Sequence, residues 1–162
     1  MIIVGYQGIG KSSLAGVDNC IDLESSNFWI DGKRDPEWYK PYCKIADHLS
    51  KQGYTVFTSS HEVVRKELEY CTDEPVWVVF PSVDLKDEWI KKLHERYERT
   101  GLDKDYKAWK NAEDRYEDNI FELTVSPLRC YTIKTMDYEF DRVVDHLREL
   151  TKIEKRIAME GK

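Results

Sequence analysis

Short apolar runs alternate along the chain with stretches whose apolar residues recur every third or fourth position. The first run, Ile2 to Val4, ends in a glycine-rich turn. Four more follow: Cys20 to Leu23, Tyr54 to Thr58, Val76 to Phe80 and Arg129 to Lys134. Val76 to Phe80 is apolar without a break, as expected of a strand covered on both faces. Between these runs the spacing turns helical. Lys11 to about Gly16 reads as a short helix. Tyr42, Ile45, Ala46 and Leu49 fall at i, i+3, i+4 and i+7, with Pro41 suited to the first turn and Gly53 placed to end it. Glu62 to Tyr70 is a charged helix. Asp84 can cap the next, in which Leu85, Trp89, Leu93 and Tyr97 recur every fourth residue until Thr100 and Gly101 break it. Tyr106, Trp109, Tyr116 and Ile120 mark another helix, and Phe140, Val143, Val144, Leu147 and Leu150 line a last one. Asn27 to Tyr39 is aromatic and irregular.

Strands alternating with helices imply parallel strands joined by right-handed crossovers. The fold class expected is α/β: a three-layer α/β/α sandwich around a central parallel sheet of about five strands. The 162 residues suit a single domain over 1–162.

Composition narrows the function. Hydrophobic residues make up 41% and charged residues 35%, an ordinary globular balance that argues against disorder. The net charge of -6 lacks the basic footprint that nucleic-acid binding needs, so nucleic acid is not an expected partner. The N-terminal run is too short for a signal peptide or a membrane span, and no later segment has 18 uninterrupted apolar residues. Cys20, Cys43, Cys71 and Cys130 form no CxxC, which reads as four reduced, mostly buried thiols in a cytoplasmic protein. The four histidines are scattered and suggest no zinc site.

The most specific feature is Gly5-Tyr6-Gln7-Gly8-Ile9-Gly10-Lys11-Ser12, which matches GxxxxGK[ST] at every fixed position. Glycines let the backbone curl so that successive N–H groups point at phosphate oxygens. The candidate nucleotide contacts are Gly5, Gly8, Ile9, Gly10, Lys11, Ser12 and Ser13. Lys11 reaches the β- and γ-phosphates, the Ser12 hydroxyl ligates Mg2+, and the helix beginning there adds its positive end. Only nine residues, Ser12 to Cys20, separate Lys11 from the next strand, so that helix is about two turns long.

A metal-holding carboxylate is expected nearby. The runs ending at Thr58 and Phe80 carry no acid at their ends, whereas Asp22 and Glu24 follow the second run and share one face of it. Asp22 is assigned to magnesium or to the acceptor hydroxyl, and Glu24 to the acceptor.

With these residues the chain resembles the small-molecule kinases of the nucleoside-monophosphate kinase superfamily. The resemblance rests on the N-terminal P-loop, on Asp22-Leu23-Glu24, and on Val56-Phe57-Thr58-Ser59-Ser60-His61 running on to Arg65 and Leu68. Gluconate kinases similarly end the third strand in small polar residues with an arginine a few positions on, and shikimate kinases carry an acid-x-acid pair after the second strand. The chain is also similar to bacteriophage P-loop proteins, some labelled as nucleotide kinases. The adenylate-kinase strand end Asp-Gly-Phe-Pro-Arg is absent.

The resemblance implies a P-loop NTPase fold, ATP and Mg2+ as cofactors, and a helical lid over about 87–121 that brings Arg96 and Arg99 onto the phosphates. It also implies an acceptor-binding insert at about 27–41. Ser60, His61 and Arg65 are then acceptor contacts. In the insert, Phe28, Trp29 and Trp38 can stack a base while Arg34 grips a phosphate. The expectation is an ATP-dependent phosphotransferase, catalysed through Lys11, Asp22, Arg96 and Arg99, acting on a nucleoside or deoxynucleoside monophosphate. The alternatives are a small-metabolite kinase of the gluconate or shikimate type and an ATP-binding regulatory protein without turnover.

Overall fold

The computed structural model describes residues 1–161. Strands β1 (Ile2–Gly5), β2 (Cys20–Asp22), β3 (Thr55–Thr58), β4 (Val76–Pro81) and β5 (Arg129–Ile133) form one sheet in the order β2-β3-β1-β4-β5. Every neighbouring pair is parallel. The helices are α1 (Tyr39–Lys51), α2 (Glu62–Cys71), α3 (Lys86–Thr100), α4 (Asp103–Thr124) and α5 (Phe140–Glu160).

β1, β3 and β4 are buried along their whole length, which is why β1 and β4 are written as apolar runs, while β3 buries Thr55 and Thr58 at its ends. Helices α1 and α2 pack together, and the Cys43 thiol donates to the Val64 carbonyl between them. Helix α5 covers the opposite face of the sheet. There Phe140 meets Phe57 with ring centroids 5.3 Å apart, and the Trp77 indole N–H donates to Thr151 at 3.1 Å. Helices α3 and α4 form a hairpin zipped by Tyr97 against Tyr106 and Trp109, and by His94 against Trp109. No helix among the described residues is long and apolar enough to cross a membrane.

Several local expectations are corrected. The segment after Lys11 is a 3₁₀ turn, Lys11–Leu14, and not a two-turn helix. Its carbonyl-to-amide bonds stop because Gly16 takes a left-handed conformation and bonds back to Cys20. The cap before α3 is Ser82, whose hydroxyl accepts from the Asp84 N–H; Asp84 itself caps nothing. Ile45 is exposed, and Cys43 takes its place on the buried face of α1. Of the four free thiols, Cys20 and Cys43 are buried, Cys71 is half-buried and Cys130 is exposed. The insert holds a 3₁₀ turn, Ser25–Phe28, and a tight antiparallel bridge between Ile30 and Lys33. Helix α4 breaks at Arg115, whose backbone leaves the helical region.

Candidate functional site

The chain leaves β1 toward β2 on one side of the sheet and leaves β3 toward β4 on the other. This reversal opens a crevice beyond the carboxyl ends of β1 and β3, where parallel sheets hold ligands. A cleft of about 900 Å³ lies there, within the size range of small-molecule sites. The loop after β1, the insert, the start of α2 and one face of α4 line it. A second depression of about 450 Å³ sits at the opposite end of the sheet, beside Pro75 and Arg129, away from this crevice.

The glycine-rich loop borders the cleft through Gly5, Tyr6, Gln7 and Lys11, while Gly8, Ile9, Gly10, Ser12 and Ser13 are not among the residues lining it. A Cβ on Gly5 would lie 2.4 Å from Ile9 Cδ1, so only glycine lets the loop close so tightly. Gly8 has φ +89°, and a Cβ there would come within 2.9 Å of Leu93. No acceptor within the described residues faces the backbone N–H groups of Gly8, Gly10, Lys11 or Ser12. The loop's carbonyls, by contrast, are held from outside. The Trp89 indole donates to the Gln7 carbonyl at 2.9 Å, and the Tyr138 hydroxyl donates to the Ile9 carbonyl at 2.8 Å. Lys92 lies over both rings and donates to the Tyr138 hydroxyl. Burial pushes its ammonium down to about 8, with the Arg96 charge adding to the effect. Gly8→Ala should therefore destabilise the fold by roughly 1–3 kcal/mol, through strain and the clash with Leu93. A thermal melt identical to wild type would show that α3 does not clamp the loop.

Lys11 donates to the Gly5 carbonyl at 2.8 Å and lies 3.3 Å from the Thr58 carbonyl. Burial lowers its pKa, while Asp22 and Glu24 oppose the shift and Arg96 adds to it. Asp22 ends β2 in register with Phe57, and its charge and that of Glu24 act on Lys11, although neither acid is among the residues lining the cleft. Burial pushes the Asp22 carboxyl up to about 6, against the pull of Lys11 and with Glu24 adding. Tyr42 fixes this edge. Its hydroxyl donates to the Leu23 carbonyl at 2.6 Å and accepts from the Ser59 N–H at 2.9 Å, joining the ends of β2 and β3. Among the described residues no group of three or more His, Cys, Asp or Glu side chains could hold a metal. A divalent ion here would rest on Asp22 and the exposed Ser12 hydroxyl. The Ser13 hydroxyl is turned back to the Gly10 carbonyl.

Arg34, Ser60, His61 and Arg65 all line the cleft. Arg65 is only 8% exposed and donates to the Ser60 carbonyl; its one carboxylate, Glu122, stands 3.9 Å away. Arg34 lies over the rings of Trp38 at 3.9 Å and Trp29 at 4.9 Å. Trp38 and Phe28 pack against Tyr42, whereas Trp29 is 52% exposed. His61 shares a hydrogen bond with Ser59, and burial, Arg34 and Lys11 all lower its pKa, which keeps it neutral at pH 7.

Arg96 and Arg99 are not among the residues lining the cleft. Arg96 lies 2.9 Å from the buried Asp105 carboxylate and braces the α3–α4 turn, and Arg99 is exposed in the last turn of α3. The cations that α4 does present to the cleft are Lys104 and Lys107, with Lys104 3.9 Å from Glu24. Sequence reading overlooked them, together with Gln7, Asn111 and Asn119. The signal was present, since 104, 107 and 111 share one helix face by their spacing.

No protein-family model matches the chain, and no curated protein matches it.

The chemistry open to this site follows from its charges. Lys11, Arg34, Arg65, Lys104 and Lys107 face the cleft against Glu62, Asp103 and Glu122, in a chain whose net charge is -6. The loop offers free N–H donors with a buried ammonium beside them. Such a cleft attracts anions from two directions, one over the loop and one toward Arg65 and Arg34.

Proposed function

We propose that the protein is an Mg-ATP-dependent phosphotransferase of the P-loop class whose acceptor is a nucleoside or deoxynucleoside monophosphate. The observation that carries the reading is the pairing of two anion sites in one cleft: the glycine-rich loop with Lys11, and the buried guanidinium of Arg65 with Arg34. Mg-ATP would supply the transferable phosphoryl group. Lys11 and the free N–H groups of Gly8, Gly10, Lys11 and Ser12 would hold its phosphates, and Ser12 and Asp22 its metal. Arg65 and Arg34 would hold the acceptor phosphate, and the exposed Trp29 ring offers a stacking face for its base. Lys104 and Lys107 line the cleft, where cations can offset charge developing across it, and the Arg96 charge reaches Lys11 from outside the lining. A reducing, cytoplasmic setting suits the four free thiols.

A second reading, a nucleotide-binding regulatory protein, is favoured by one feature. The loop is followed by a single 3₁₀ turn, so it lacks the dipole of a full helix. ADP release against a panel of monophosphates, gluconate and shikimate separates the readings. Monophosphate-dependent release is expected, and Arg34→Ala should raise KM for the monophosphate about tenfold, with a smaller effect on KM for ATP. Release that depends only on gluconate or shikimate would replace the acceptor. No acceptor-dependent release, despite ATP binding, would favour the regulatory protein.

A further inference from the structure

Gln7, Asn111 and Asn119 form a row of carboxamides along the cleft that phosphate transfer by itself leaves unused. Backbone anchoring fixes the direction of the row. Gln7 Nε2 donates to the Ala108 carbonyl at 3.0 Å, and since a carbonyl only accepts, that atom must be nitrogen. The same nitrogen is 3.2 Å from the Asn111 side chain, which therefore presents Oδ1. Asn111 Oδ1 in turn receives Asn119 Nδ2 at 2.7 Å. The buried Tyr6 hydroxyl accepts from Asn119 at 3.3 Å, the two Gln7 N–H groups being taken by Ala108 and Asn111.

These internal bonds leave three carboxamide groups without a partner among the described residues: Gln7 Oε1, Asn111 Nδ2 and Asn119 Oδ1. The result is an acceptor, a donor and an acceptor, ordered by side chains that hold one another still. Carboxamides are suited to nucleobases because both present planar edges of N–H groups and lone pairs. We propose that Gln7, Asn111 and Asn119 read the hydrogen-bonding edge of the acceptor's base. This inference rests on the reading of the cleft as a nucleotide acceptor site, and it assigns specificity to α4 and the loop rather than to the aromatic insert. The insert then supplies a stacking face through Trp29, which accepts any base, while the amide row chooses among them.

Calorimetric titration of the apo protein with AMP, GMP, CMP and UMP tests this without turnover, with ribose 5-phosphate as the control that lacks a base. At least one monophosphate should bind about tenfold or more tightly than ribose 5-phosphate. Asn111→Asp keeps the oxygen that receives Gln7 and Asn119 but replaces the free donor with an acceptor. Its added charge weakens all five phosphates alike, so the informative quantity is each ratio to ribose 5-phosphate. The order of preference among the four bases should change, and the favoured base should lose about tenfold relative to ribose 5-phosphate. Asn119→Ala should lower the favoured base toward the ribose 5-phosphate value. Ribose 5-phosphate binding as tightly as every monophosphate would overturn the proposal. So would variants that scale all five ligands by one factor. Base discrimination without phosphoryl transfer would keep this inference and remove the kinase reading, while transfer with equal scaling would do the reverse.

Discussion

Lys11→Ala should abolish most of the stabilisation that Mg-ATP is expected to confer on the wild-type protein. A ligand that binds only the folded state adds about 2.7 kcal/mol when present at a hundred times its Kd. For a chain of this size that is roughly 5–10 °C in Tm. Charge-assisted hydrogen bonds contribute about 1.5–3 kcal/mol each, so losing the ammonium should weaken ATP about a hundredfold and leave about 0.4 kcal/mol of the gain. The apo protein should tolerate the change, because Gly5, whose carbonyl is left behind, lines the cleft and burial already disfavours the charge. Thermal melts with and without Mg-ATP are the measurement. Equal shifts in both proteins would remove Lys11 from nucleotide binding, and the loop assignment with it.

Asp22→Asn should stabilise the apo protein while stopping turnover. The Asp22 carboxyl rises from 3.8 in the unfolded chain to about 6 in the fold, mainly through burial. Between those values the folded chain holds a proton that the unfolded chain has released. Stability therefore falls as pH rises from about 4 to about 6, and the loss persists above that. Two pH units correspond to about 2.7 kcal/mol. Asp22 is only partly buried, so solvent screening offsets part of this and leaves a gain on the order of 2 kcal/mol at pH 7.5, or roughly 4–8 °C. The gain should vanish below about pH 4, where Asp22 is protonated in both states. Turnover should drop at least about a hundredfold, as for the loss of a group that handles a proton or positions a metal. A variant that melts below wild type at pH 7.5, or one that keeps its activity, would show that the carboxylate is neither strained nor catalytic.

The sheet was legible because burial on both faces leaves no polar positions in Val76 to Phe80 or Ile2 to Val4. The loop was legible because Gly5, Gly8 and Gly10 each answer a local demand of conformation or close approach. What lay beyond sequence reading depends on how α4 sits over the sheet. Its residues near Tyr106 and Trp109 were read as the apolar face, and that face does pack on α3. The polar face carrying Lys104, Lys107 and Asn111 went unread within the expected lid, and only the tertiary arrangement turns it onto the cleft. Arg96 misled for the converse reason. A charged residue near a helix end says nothing about its partner, and here the partner is Asp105 in the next helix. The short 3₁₀ turn was half-visible in the nine residues before β2, but the bond from Gly16 to Cys20 that ends it was not.

The outside grip on the glycine-rich loop bears on the order in which a ribosome would deliver the parts. Strand β1 and its loop emerge first, yet the groups that hold the loop's carbonyls come 82 residues later at Trp89 and 129 residues later at Tyr138. A nascent chain ending before α3 holds the whole glycine motif but neither of the side chains that grip its carbonyls. The loop therefore gains the last of these carbonyl partners only once the chain has reached Tyr138, just ahead of α5. Nearly the entire chain has to be made before its first dozen residues acquire their working shape.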